Sequence, residues 1–158
     1  MKLKEVSLNS IWTSVFIGVF ILFSQCTDID FDSRNFNRFL NQFDTSIAEE
    51  EHYYIILSKY TCQSCAHHYL ELFLDKNVLL PRSTTTFILS NNKTYSALED
   101  DTFAILHDRE RSIEQLSFNI TEFALLKTSK KRIIQRWNFS SSEEGGYIEF
   151  LDKEFGEK

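Results

Sequence analysis

The chain has 158 residues, room for one domain and a leading segment, and is 42% hydrophobic and 15% aromatic with fifteen Phe, so a folded core is expected. Its net charge of −6, without a long basic block, argues against nucleic acid as a partner.

The first residues read as an export signal. Lys2 and Lys4 supply a positive start, diluted by Glu5, and Ile11–Phe23 is an uncharged, mostly apolar stretch too short for an ordinary membrane span. Leu22-Phe23-Ser24-Gln25 leads directly into Cys26. This resembles a bacterial lipoprotein signal, in which the cysteine carries lipid and becomes the mature N-terminus. Such signals usually have Leu three residues before the cysteine and Gly, Ala or Ser just before it; here those positions are Phe23 and Gln25. The resemblance implies a signal over residues 1–26 with lipidation at Cys26. It also implies a bacterial cell-envelope protein held to the membrane by its N-terminus, facing the periplasm or the exterior. An uncleaved anchor and ordinary signal cleavage are the other readings of this segment.

Residues 27–46 read as a tether and an amphipathic helix. Phe36, Phe39, Leu40 and Phe43 recur at helical spacing, with Asp32 or Ser33 placed to cap a helix over 33–43. Residues 47–158 read as one further domain. A buried strand is expected over 52–58, a helix over about 63–76, and a second β-rich run at Thr84–Leu89 after Pro81. Residues 91–101 are polar. Thr102–Leu106 is strand-like and Arg109–Leu116 has helical potential. Glu122–Leu126 and Arg132–Trp137 flank Thr128-Ser129-Lys130-Lys131 in a hairpin pattern, and a last helix over about 142–155 would bury Tyr147, Ile148, Leu151 and Phe155. Strands alternating with helices, then a hairpin and a helix, imply an α/β sandwich around one mixed β-sheet flanked by helices.

Cys62-Gln63-Ser64-Cys65 lies between the strand and the helix. Two thiols so spaced at a helix start can close a small disulfide ring. The first would sit near unpaired N–H groups and the positive helix end, which favour a thiolate. The chain has three cysteines, an odd number, and Cys26 as a lipid site with Cys62 and Cys65 as a pair accounts for all of them. The strand Tyr54-Ile55-Ile56-Leu57, the CxxC and its helix, and the later Ile105-Leu106-His107-Asp108 and Phe123-Ala124-Leu125-Leu126-Lys127 segments resemble the thioredoxin fold. The likeness is closest to its membrane-tethered, envelope-facing thiol-disulfide oxidoreductases. The resemblance implies exchange with thiols or disulfides of exported proteins, Cys62 attacking and Cys65 resolving, with no organic cofactor. Three positions depart from the family: Tyr60-Thr61 stand where a Trp precedes the first cysteine, Ile56 stands near the place of a buried acid, and Thr121 stands where a cis-proline adjoins the disulfide. A cis peptide before Thr121 would cost about 3 kcal/mol, so a trans bond is expected there.

Two other classes compete. Cys62 and Cys65 with His67 or His68, and a fourth ligand such as His107, would suit zinc or copper, although adjacent helix residues point about 100° apart so only one of His67 and His68 can face the thiols. A non-catalytic interaction module on the same scaffold is the other. Lys59 and Glu122 are candidate proton relays or plain surface charges. Lys127, Lys130, Lys131, Arg132 and Arg136 give the hairpin a basic character, as a solvated edge or a dock for an acidic partner.

Overall fold

A computed structural model of the chain describes residues 31–75, 82–90, 93, 95–98, 103–140, 149–150 and 153, the side chains of 72–75 and 97 apart. Residues 1–26 with Cys26, Pro81, and Tyr147, Ile148, Leu151 and Phe155 of the expected last helix lie outside them.

Helix α1 covers residues 31–41, where Phe36, Phe39 and Leu40 fall on one buried stripe. The turn that closes it reaches Asp44, whose φ of 55° is the left-handed conformation that commonly follows a helix, while Thr45 N–H returns to the Leu40 carbonyl at 3.3 Å. The expected caps do different work. Ser33 Oγ accepts the N–H of Ile133 at 3.0 Å, and Asp32 bonds Ser117 Oγ at 2.8 Å and Arg136 at 3.1 Å. The start of α1 is thereby pinned to a distant part of the chain.

Strands β1 (His52–Leu57), β2 (Thr85–Leu89), β3 (Ala104–His107), β4 (Phe123–Ser129) and β5 (Arg132–Phe139) form one mixed sheet in the order β3-β2-β1-β4-β5. β1, β2 and β3 run parallel, with Ile55 opposite Phe87 and Phe87 opposite Ile105. β4 lies antiparallel to β1, with Leu125 opposite Ile55, and β5 returns antiparallel to β4. Helix α2 (Gln63–Asp75) connects β1 towards β2. Because both faces of β1 are covered, its sequence is a continuous apolar run rather than an alternating one.

Side chains of a strand alternate between faces, so β1 serves two cores. Tyr53, Ile55 and Leu57 pack with Ala66, Tyr69 and Leu70 of α2, with Phe123 and Phe139, and with Phe150. Tyr54 and Ile56 pack on the other side with Phe36, Phe39 and Leu40 of α1, and with Ile113 and Phe118. The chain is therefore an α/β fold with a five-stranded mixed sheet and a helix on each face.

The region after β3 corrects the expected helix at Arg109–Leu116. It is a single 3-10 turn, Ser112–Gln115, entered through Arg111 at φ 58°. The buried Asp108 explains this, because its carboxylate accepts the N–H groups of Ser112 and Ile113, both at 2.9 Å, and so fixes a tight start. Of the expected strand at Thr102–Leu106, Thr102 lies outside the described residues, and the strand runs from Ala104 to His107. Of the last helix, residues 149–150 and 153 are helical, and Phe150 is buried.

Candidate functional site

β1 delivers the chain to the CxxC through residues 58–61, and this turn is held from several sides. Ser58 N–H donates to the Glu122 carbonyl at 3.0 Å, and Ser58 Oγ donates to the Thr121 carbonyl at 2.8 Å. Thr61, fully buried, donates its hydroxyl to the same Glu122 carbonyl. Its own carbonyl accepts the Lys93 ammonium at 2.7 Å. Lys59 N–H donates to Glu114 Oε1 at 2.7 Å, and Ser90 Oγ, at the end of β2, donates to that oxygen at 3.0 Å. The Lys59 ammonium lies 3.1 Å from Glu114 Oε2 as an ion pair.

Cys62 and Cys65 form a disulfide, with Cα atoms 5.1 Å apart, at the N-terminus of α2. The Cys62 carbonyl accepts the first helical N–H, from Ala66 at 2.9 Å, and Cys62 Sγ accepts the N–H of Cys65 at 3.0 Å. Sulfur thus takes the place that a Ser, Thr or Asp oxygen usually takes in capping a helix. Ser64 Oγ lies 3.1 Å from the same sulfur. No carboxylate occupies the first turn of α2, so nothing there opposes negative charge on Cys62. The two sulfurs differ in access: Cys62 is exposed, whereas Cys65 is half-buried against the core beneath α2. Beside them Gln63, Ser64, His67, Tyr95 and Ser96 line an open groove, and Tyr60 exposes 63% of its surface.

Other residues singled out in the sequence fall as follows. Thr121 follows a trans bond, no cis peptide occurring among the described residues, and its hydroxyl donates to the Phe139 carbonyl at 3.0 Å. Hydrogen bonding to Tyr60, and then to Glu114, holds the Lys59 ammonium above its usual range, so it stays charged and is a poor base. Glu122 serves the site through its backbone carbonyl. His67 pairs with Glu71 one turn along α2, at 3.0 Å, and His68 lies against Tyr69. His107 lies in a different groove, with Gln42 and Phe43. Among the described residues no three His, Cys, Asp or Glu side chains gather as a metal-binding group.

The basic hairpin is largely neutralised from within. Lys127 pairs with Glu51 at 2.9 Å, Lys131 with Glu49 at 3.6 Å and Arg136 with Asp32 at 3.1 Å. Tyr53's hydroxyl, and then Lys127, hold the Glu51 carboxyl below its usual range.

No family model, curated protein or solved structure matches the chain. Among the described residues no helix is long and apolar enough to cross a membrane.

Ser58, Ser90, Lys93 and Glu114 were not singled out by sequence. Their roles depend on partners from 24 to 63 residues away, and no local motif carries such a signal. Only Ser58 and Thr61, polar residues between a strand and a helix, offered a hint.

Proposed function

We propose that this chain exchanges thiols and disulfides with exported proteins through Cys62 and Cys65, on a thioredoxin-like scaffold. The observation that carries the reading is the exposed Cys62, whose sulfur caps α2, bonded to the half-buried Cys65. A helix N-terminus lowers a thiol's pKa, and the thiolate is the attacking species. Supporting the scaffold is the strand order β2-β1-β4-β5, with the CxxC after the central parallel strand and an antiparallel hairpin beside it.

In the reducing direction, the Cys62 thiolate attacks one sulfur of a substrate disulfide. The Cys62–substrate bond forms as the substrate S–S bond breaks, and one substrate thiolate leaves. Cys65 gives up its proton and attacks Cys62 Sγ, closing the intramolecular disulfide and releasing the second substrate thiolate. Two electrons pass to the substrate, and a dithiol donor must reopen the pair for another cycle. The oxidising direction is the same sequence reversed.

A glutathione redox titration of the full chain, read by thiol alkylation with and without chelator, tests this. The expected result is a reversible Cys62/Cys65 couple between about −270 and about −120 mV, unaffected by chelator. A disulfide that stays closed below about −300 mV would make it structural and overturn the proposal. Thiols alkylated only after chelation would point to metal instead. Cys65→Ser is expected to accumulate mixed disulfides at Cys62.

The envelope location and the lipid at Cys26 belong to the same proposal and are supported by the 1–26 segment. Labelled palmitate should enter the protein in a bacterial host and be lost in Cys26→Ser. Incorporation that survives this substitution would remove Cys26 from the reading.

A further inference from the structure

The dipeptide between the cysteines, Gln63-Ser64, carries no charge, and α2 has no basic residue in its last turn. A cation reaches the site from elsewhere in the chain. Lys93 lies between β2 and the 3-10 turn Ser96–Leu98, 32 positions from Thr61, and its ammonium donates to the Thr61 carbonyl at 2.7 Å. That carbonyl belongs to the peptide unit that ends at the Cys62 nitrogen. Its residue is fully buried and is fastened to Glu122 through its hydroxyl, so the contact has little freedom to drift.

The geometry points to Lys93 as a positioning residue that sets the thiolate character of Cys62 through its charge. This inference rests on the exchange reading and gives that site a regulator. When the disulfide opens, Cys62 is left as a thiolate already facing the Cys65 N–H and the Ser64 hydroxyl. Lys93 adds a positive charge at the carbonyl of the peptide unit that precedes Cys62. Stabilising the thiolate favours the reduced form, making the couple more oxidising, as for exchange proteins with low-pKa cysteines. Among the described residues, the other titratable groups on the surrounding elements are Lys59 and Glu114, which pair with each other, His67 and Glu71, which do likewise, Tyr95, and Glu122. Lys93 differs from these in bonding the backbone immediately before the sulfur-bearing residue.

Three variants of the full chain test this, each in a Cys26→Ser, Cys65→Ser background that leaves Cys62 as the single thiol. Lys93→Met removes charge and hydrogen bond, Lys93→Gln removes the charge but keeps an N–H donor, and Lys93→Arg keeps both. The readout is the pH profile of Cys62 alkylation, followed also by thiolate absorbance, with circular dichroism to verify folding. The expected result is a midpoint about one pH unit higher in Lys93→Met and Lys93→Gln, a tenfold loss of thiolate at fixed pH, with Lys93→Arg close to the unsubstituted chain. With both cysteines present, the same factor would make the couple more reducing by about 30 mV. An unmoved profile in Lys93→Met, a Lys93→Gln profile matching that with Lys93 intact, or failure of Lys93→Arg to restore the midpoint would each overturn the inference. The profile separates this outcome from that of the exchange reading. A disulfide that never opens under glutathione, together with a Lys93-dependent midpoint, would sink the exchange reading and leave this inference standing.

Discussion

His52 opens β1 with its imidazole Nε2 2.9 Å from Thr86 Oγ1 on the neighbouring strand and its ring against Tyr54. Burial disfavours the charged ring and holds its pKa below the usual 6.5. The unfolded chain therefore takes up this proton first as the pH falls. The stability contributed by the neutral ring is complete above about pH 6.5 and is lost progressively below it. Denaturant titrations between about pH 7 and 5 should show stability falling as the pH falls, with a slope that His52→Gln flattens. An unchanged slope in that variant would assign the acid sensitivity to other groups. Tyr54, buried on the same strand, is pushed up to about 12 by desolvation and so stays neutral throughout this range.

At the scale of elements, the β4–β5 hairpin turns through Lys130 and Lys131, both left-handed, at φ 52° and 59°. Two positive φ values in a two-residue turn match the twist of the strands, but Asn and Gly are the residues that tolerate them. The turn is compensated by its grip on the chain entering β1: Lys130 N–H donates to the Glu49 carbonyl at 2.7 Å and Lys131 N–H to the Ala48 carbonyl at 3.1 Å. Lys131→Gly preserves both backbone bonds and relieves the less suitable conformation, losing a largely exposed ion pair at 3.6 Å. It should stabilise the protein by about 1 kcal/mol, read as a higher denaturant midpoint at constant slope. A lower midpoint would mean that the Lys131 side chain contributes more than its backbone strain costs. The existence of this hairpin was legible, because apolar runs flank a short polar segment. So were α1, β1 and α2, whose apolar patterns are written into consecutive residues. The 3-10 turn at Ser112–Gln115 was not, since the apolar Ile113 and Leu116 suit a helix equally well and Asp108 decides between them.

For the whole molecule, the division between legible and hidden follows sequence distance. The CxxC could be placed at a strand–helix junction because strand, motif and helix are contiguous. Lys93, Glu114 and Ser90 reach the same junction only once β2 and the turn after β3 lie beside it, and nothing in their local sequence distinguishes them from surface residues. The basic hairpin shows the same limit: its acidic counterparts are Asp32, Glu49 and Glu51, far upstream. The two-faced packing of β1 was legible only as a continuous apolar run, and its consequence is wider than stability. The sheet partitions the molecule: the disulfide and α2 share one core, and α1 with its Phe residues belongs to the other. Among the described residues, the side chain that links the α1 side to the turn before the disulfide is Glu114, next to Ile113 of the far core, through its bond to Lys59 N–H. The α1 side of this chain can therefore diversify, acquiring new neighbours or losing old ones, with the chemistry on the other side inherited unaltered as long as Glu114 keeps its hold on the turn before the disulfide.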